Sequence, residues 1–429
     1  MVWQKPRENA VRILLAHNEG RGFVEDILTR ELAETRLRQD DRALVQELCF
    51  GAVRWRATLD WMIDAKSFDR LPAPQARVFL RLGLYQLFWL DRIPDHAAVN
   101  ETVACARSLG FDGYAGFINA MLRNYTRADA ETRATLARLK TEDPALGWSH
   151  PRWLVDRWQK RMPAADVQSL LAWNNTPAVA FARINTLKSD AAKVIESWRT
   201  EGVDYDFKTW DWTGSHLVFQ LKRHPPLERL PSFNSGWYYI QDPSTLASVR
   251  LLEPKAGERI LDLCAAPGGK TTYIAQLLDN DGTVVACDPD PTRRERLKQN
   301  CERLGADVEV TVPDDREAAG PFDAVLVDAP CSNSGVLRRR LDARWRLGPP
   351  DLERCCALQK RLLETAAKRL RPGGRLVYST CSIEPEENQG MVDAFLAAQP
   401  AFRLEQSRQL APVPDGVDGA FVAVLRHTA

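Results

Sequence analysis

Apolar residues recur three and four positions apart through the first third of the chain, the spacing of one face of a helix. Asn9–His17 carries Val11, Leu14 and Leu15 on one side, and Asp40–Val53 repeats the pattern through Leu44, Val45, Leu48 and Val53. Val78–Leu90 is apolar nearly all round and predicts a buried helix. Val99–Leu109 and Gly116–Tyr125 complete the set, with proline-containing joints such as Leu71-Pro72-Ala73-Pro74 and Ile93-Pro94 between segments. Residues 1–143 therefore predict a compact all-α domain.

The periodicity changes after Pro144. Pro151–Met162 predicts a Trp-rich helix, Val179–Thr186 a strand and Asp190–Gly202 a helix, with further strands at Asp204–Trp212 and Leu217–Leu221. Residues 144–235 thus predict a small α+β domain of the split βαβ kind. Arg183 and Asn185 fall two apart on its first strand, hence on one face. Arginine and aromatic residues exposed on such a sheet suit single-stranded RNA, although most of the tryptophans are assigned to the core. From 236 to 429 strands alternate with helices. The strands are Arg259–Leu263, Thr283–Cys287, Val308–Thr311, Phe322–Val327 and Arg375–Ser379. The helices are Gly269–Leu278, Pro291–Leu304, Pro350–Leu370 and Pro385–Ala398. Apolar strands in that alternation predict a parallel, doubly wound α/β sheet, and Phe421–Arg426, with no helix after it, predicts an antiparallel insertion.

Composition narrows the picture only slightly. At 429 residues with 45% apolar and 27% charged content, the chain is globular and too long for one core. A net charge of +1 argues nothing about nucleic acid. The nine cysteines form no CxxC pair, so no zinc site and no disulfide framework is expected. No apolar run is long enough to cross a bilayer, and Met1–Ala10 lacks the apolar core of a signal peptide. The expected location is the cytoplasm.

The candidate chemistry collects at strand ends. Cys264-Ala265-Ala266-Pro267-Gly268-Gly269-Lys270 joins a strand to a helix through small residues, letting a ligand approach the backbone and the helix N-terminus. It nearly matches a Walker A loop. Cys264, however, replaces the first glycine and Pro267 lacks an N–H, so a phosphate cradle is disfavoured. Asp288 ends the second strand, where a carboxylate suits a ribose 2′-hydroxyl, and Asp314 follows the third, where one could accept from an adenine amino group. The fourth strand runs into Asp328-Ala329-Pro330-Cys331, the fifth into Ser379-Thr380-Cys381. Either thiol alone reads as a small core residue; neighbouring parallel strands would bring the two to one rim.

Longer phrases carry a resemblance. LDLCAAPGGKTT, FDAVLVDAPCS, LRPGGRLVYSTCSIEPEEN and DGAFVA resemble the RNA cytosine-5 methyltransferases. DRALVQELCFGAVRW, AAVNETVACARSLG and GFINAMLRNY resemble the NusB-like helical domain of the RsmB (Sun/Fmu) branch, which methylates 16S ribosomal RNA. The resemblance implies an all-α NusB-like domain (1–143), a small α+β RNA-binding domain (144–235) and a Rossmann-like S-adenosylmethionine methyltransferase domain (236–429). It implies a thiolate nucleophile, Cys381, that adds to C6 of cytosine, and a second thiol, Cys331, that helps release product. It assigns Asp328 to N3 of the base and Lys270 to holding it. It also assigns S-adenosylmethionine to Cys264, Ala265, Ala266, Pro267, Gly268, Gly269, Lys270, Asp288, Asp314 and Asp328. The implied partner is 16S rRNA, with no DNA and no membrane, and a monomer is expected. A tRNA or other rRNA target, and an RNA-binding assembly factor with a vestigial site, are the rival readings.

Three departures from the family wording border the base pocket. Ser332-Asn333-Ser334-Gly335 stands where Ser-Gly-Thr-Gly is common, placing a side chain where a glycine is usual. Pro313 replaces a glycine before Asp314. Arg338-Arg339-Arg340-Leu341-Asp342 replaces a His-Pro-Asp wording, and with Arg344 and Arg346 makes a candidate phosphate contact. Arg42, Arg54, Arg56 and Arg123 are weaker candidates of the same kind, each equally an ordinary solvated group.

Overall fold

The computed structural model describes residues 5–67, 71–316 and 318–428. The chain divides into two compact units, Met1–Thr176 with Arg340–Arg346, and Pro177–Arg339 with Leu347–Ala429.

The first unit is all-helical. Its long helices are Pro6–Asn18, Val24–Ala33, Gln39–Arg54, Arg56–Ala65, Pro74–Trp89, Asp95–Ser108, Asp112–Arg127 and Asp129–Glu142. Pro74–Trp89 is the central one. Twelve of its residues are buried, as its uniformly apolar circumference requires. Pro144–Gly147, Arg152–Gln159 and Ala164–Asn174 extend the same unit, so 144–176 packs here rather than with the small sheet. Arg340–Arg346 is pinned among these helices. Asp342 accepts from the Val24 N–H at 2.6 Å and pairs with His17 at 2.6 Å, and the Trp345 indole donates to the Val53 carbonyl at 2.7 Å. Arg344 is fully buried and donates to the Ser149 and Asn174 carbonyls and to Asn175 Oδ1.

The second unit holds two sheets. Ala180–Ile184 (β1), Asp204–Lys208 (β2), Val218–Arg223 (β3) and Tyr238–Ile240 (β4) pair antiparallel in the order β2-β3-β1-β4. Trp198, from the Ala191–Glu201 helix, fills the core beneath them against Phe219 and Tyr238. That order and the crossing helix make the sheet the expected split βαβ. The larger sheet contains Arg259–Asp262 (β5), Thr283–Cys287 (β6), Glu309–Thr311 (β7), Phe322–Asp328 (β8), Leu370–Thr380 (β9), Phe402–Leu410 (β10) and Ala420–His427 (β11). Its order is β10-β11-β9-β8-β5-β6-β7. The pairs among β5–β9 are parallel, whereas β11 runs antiparallel to β9 and β10. The strand order therefore reverses between β5 and β8. In a doubly wound sheet the carboxyl ends at that reversal open the ligand crevice.

The structure corrects several expectations. Arg183 and Asn185 do not present an open face to RNA; each is 1% exposed. The Gly269–Leu278 helix covers that face, and Arg183 donates to the Gly269 carbonyl at 2.8 Å and to Thr272 Oγ1 at 3.2 Å. Asn185 Nδ2 donates to the Gly236 and Leu304 carbonyls. Arg338, Arg344 and Arg54 are buried, so they are not the phosphate contacts proposed for them. β10 escaped the sequence reading because an edge strand with one face in water carries few apolar positions. Among the described residues no helix is long and apolar enough to cross a membrane.

Candidate active site

The first corner of the rim is made by main chain. After β5 the turn 263–268 stays in register with its neighbours: the Leu263 N–H donates to Leu326 O at 3.0 Å and the Ala265 N–H to Cys287 O at 2.9 Å. Gly268 then takes φ +105°, and a Cβ there would meet Leu297 Cδ1 at 2.7 Å, so only glycine fits. The Gly269–Leu278 helix starts immediately after, presenting its free N–H groups to the crevice. Asp262, under the turn, is buried. Thr271 Oγ1 donates to its Oδ2 at 2.7 Å, and burial pushes its carboxyl up to about 7. Burial also pushes the Cys264 thiol up, which leaves it an inert lining group. Asp288, 1% exposed at the end of β6, accepts from the Asp290 N–H at 3.0 Å and faces Arg293 at 3.2 Å. Asp314 lies on the exposed loop after β7.

The second corner is made by side chains. β8 and β9 pair with Asp328 opposite Ser379. Asp328 Oδ1 accepts from Ser379 Oγ at 2.8 Å and forms an ion pair with Lys270, whose Nζ also reaches Ser379 Oγ at 3.4 Å. One helix start and two strand ends thus converge on one polar cluster. Beyond it, the same register brings Cys331 and Cys381 together with their sulfurs 3.0 Å apart. Both are half-buried. The hydrogen bond to Cys381 comes first, followed by burial, in holding the Cys331 thiol well above its ordinary value, so Cys331 is the proton-bearing partner. Cys381 opens onto a cavity of about 40 Å³ lined also by Lys270, Ser379, Thr380, Val336 and Phe421.

Residues not singled out in the sequence hold the thiols in place. Glu387, fully buried, accepts from the Ser332 N–H at 2.8 Å, Ser332 Oγ at 2.5 Å and Gln359 Nε2 at 3.0 Å. Its main-chain carbonyl accepts from the Tyr378 hydroxyl at 2.6 Å. Three acidic residues inside the Ile-Glu-Pro-Glu-Glu-Asn stretch were the only hint of it. Asn333 takes φ +60° and touches both cysteines; asparagine tolerates that region, so the side chain in place of glycine does not break the turn. Arg338 and Arg339 pair with buried Asp242 and Asp418, which answers the charge of two carboxylates taken out of water. Among the described residues no group of His, Cys, Asp and Glu is arranged to hold a metal.

Comparison with known proteins agrees with this architecture. Residues 249–426 match the family model described as 16S rRNA methyltransferase RsmB/F. Residues 4–127 match the NusB family, and 150–212 match an RsmF/B-like ferredoxin-like domain. Ribosomal RNA small subunit methyltransferase B of Vibrio vulnificus is 37% identical over 92% of this chain and 93% of its own length. The protein of the same name from Pseudomonas syringae pv. tomato is 35% identical over 98% and 96%. Among solved structures, a methyltransferase homologue from Pyrococcus horikoshii aligns at TM-score 0.58 and 31% identity, covering 66% of this chain and 97% of its own. PH0851 shares the fold at TM-score 0.78 and 23% identity, covering 99% of both chains. With all three parts of the molecule matched, and relatives above 30% identity along nearly its whole length, the chain belongs to the RsmB/F family of rRNA methyltransferases.

Proposed function

We propose that this enzyme methylates C5 of a cytosine in 16S rRNA, using S-adenosylmethionine and a transient bond between Cys381 Sγ and C6 of the base. The observation that carries the reading is the pair of sulfurs 3.0 Å apart at the same rim as the Gly268 turn. C5 of cytosine is a poor nucleophile. Addition of the Cys381 thiolate at C6 pushes electron density onto C5, which would then take the methyl group the cofactor supplies, and loss of the C5 proton followed by departure of the sulfur restores the ring. In this reading Asp328, held by Lys270 and Ser379, meets N3 in its carboxylic acid form and donates the hydrogen bond that draws off the charge addition sends into the ring. Lys270 orients that carboxyl group and the base edge. Cys331, kept protonated beside Cys381, serves the release step.

S-adenosylmethionine supplies a methyl group made electrophilic by its sulfonium. The Cys264–Lys270 turn suits such a ligand because its small residues leave main chain exposed and the first N–H groups of the Gly269–Leu278 helix point from it. Asp288 offers a buried carboxylate at the strand end where a ribose is held in such sheets, and Asp314 and Asp328 flank it. In this reading residues 1–143 and 144–235 engage RNA and 236–429 perform the chemistry, in a cytoplasmic monomer that does not act on DNA.

The test is substitution of each thiol in the purified protein, assayed with 16S rRNA and labelled cofactor. Cys381→Ala is expected to abolish transfer and adduct alike. Cys331→Ala is expected to accumulate protein covalently bound to RNA. Methyl transfer surviving in Cys381→Ala would end this account.

A further inference from the structure

The Asn333 side chain contacts both cysteine residues, and the mechanism above gives it no part. Its Nδ2 donates to the Cys331 carbonyl at 3.0 Å, and its Oδ1 accepts from Cys381 Sγ at 3.2 Å. The amide cannot be turned over, because Oδ1 would then face the Cys331 carbonyl, acceptor against acceptor. Oδ1 can only accept, so the S–H of Cys381 is the donor in this contact. A chain of donors results: the Cys331 thiol donates to the Cys381 sulfur, which donates to Asn333. The other charged groups around this point are the Lys270–Asp328 pair and Asp418 on the cavity wall, and Glu387 behind Cys331. The backbone of Asn333 is left-handed, at φ +60°, where glycine costs least and gives no side chain. A residue with a carboxamide at such a position points to a use for the carboxamide.

We propose that Asn333 is a positioning residue that gates the nucleophile. In the RNA-free protein its carboxamide oxygen holds Cys381 as a neutral thiol aligned on Cys331, and a base entering the cavity displaces it. The Cys381 proton then passes to solvent, and the electron pair left on sulfur forms the bond to C6. The enzyme thereby shields its nucleophile from stray electrophiles until substrate arrives. The proposal rests on Cys381 being the nucleophile, but its test needs no RNA.

The probe is iodoacetamide on the full-length protein at neutral pH, with Cys381 alkylation followed by peptide mass spectrometry. In that reaction the S–C bond forms, iodide leaves and the thiol proton goes to buffer. Asn333→Ala and Asn333→Gly lose the acceptor and are expected to alkylate about fivefold faster than wild type, the scale of one lost hydrogen bond. Asn333→Asp sets a carboxylate against the developing thiolate and is expected to alkylate more slowly than wild type. Glycine and aspartate both accept the left-handed backbone, so these two variants keep the comparison if alanine fails to fold. A merely loosened loop would speed all three. Movement of the Asp and Gly variants in the same direction, or no movement in either, overturns the gate. Failure of the nucleophile assignment is read separately, in the Cys381→Ala transfer assay.

Discussion

At the end of β5 the atoms that face the crevice are main-chain, and what shapes the corner is the smallness of Ala265, Ala266, Gly268 and Gly269. At the ends of β8 and β9 the reverse holds. There Glu387, Ser332, Gln359, Ser379 and Asn333 place two sulfurs through side-chain hydrogen bonds drawn from four separate stretches of chain. A main-chain corner is damaged by added atoms and is indifferent to most losses. A side-chain corner is damaged by lost partners, and its members fail together.

The largest effect expected at the first corner comes from its one exception, the buried carboxyl of Asp262. Its folded value of about 7 stands above the ordinary value of 3.8. Below about pH 4 both folded and unfolded chains hold the proton. Between there and about pH 7 the unfolded chain releases it while the folded one keeps it, so stability falls as pH rises and the loss is complete above 7. The full change is about 4 kcal/mol. Asp262→Asn is expected to flatten that slope in urea titrations of the catalytic unit at successive pH values. An identical slope in both proteins would mean that Asp262 is ionised in the fold, and that this corner does hold a side-chain charge. At the second corner, Glu387→Ala strands the buried Ser332 N–H and leaves the Ser332 hydroxyl and Gln359 Nε2 with only Ser382 Oγ and the Pro330 carbonyl as partners. The expected cost is about 3 kcal/mol, with Glu387→Gln recovering most of it, read by the urea midpoint. An alanine variant as stable as wild type would dissolve the distinction drawn between the corners.

The same contrast decides what the amino-acid sequence discloses. The first corner is written in one continuous run, Leu261–Thr271, where strand, small turn and helix start follow each other, so its place in the sheet is legible directly. The pairing of Cys331 with Cys381 was legible one step further on, because parallel neighbours deliver their ends to one rim. Glu387 and Gln359 were not, since their meaning lies in a contact with Ser332 from a distant stretch. The arginines misled for a related reason. Sequence shows a cationic run at Arg338–Arg340 but not the two carboxylates, Asp242 and Asp418, that bury it. Arg183 misled because a strand facing solvent and one facing a second sheet's helix share the same alternation.

Gly268→Ala sharpens the comparison from the other side, since it removes nothing and adds one methyl. With φ at +105° and Leu297 Cδ1 2.7 Å from the new carbon, the turn must open. The strain is about 2 kcal/mol. Because the shift moves main chain that faces the ligand, S-adenosylmethionine affinity by calorimetry is expected to drop about tenfold or more. Unchanged affinity would show that the cradle does not hold the cofactor.

The smallest effect is the most pointed. Arg293 is one side chain that ties the main-chain corner from outside, donating to the Ala266 carbonyl at 2.7 Å and pairing with Asp288 at 3.2 Å. Half of it is in water, which screens the pair, while the buried Asp288 keeps the Asp290 N–H as a second partner. Arg293→Ala is therefore expected to lower stability in thermal unfolding by about 1 kcal/mol. Cofactor affinity should stay within about threefold, because the turn is held by the Leu263 and Ala265 N–H groups and by the Gly268 backbone. A loss on the scale of Glu387→Ala would mean that the corner leans on a side chain after all, and that the difference between the two corners is one of degree.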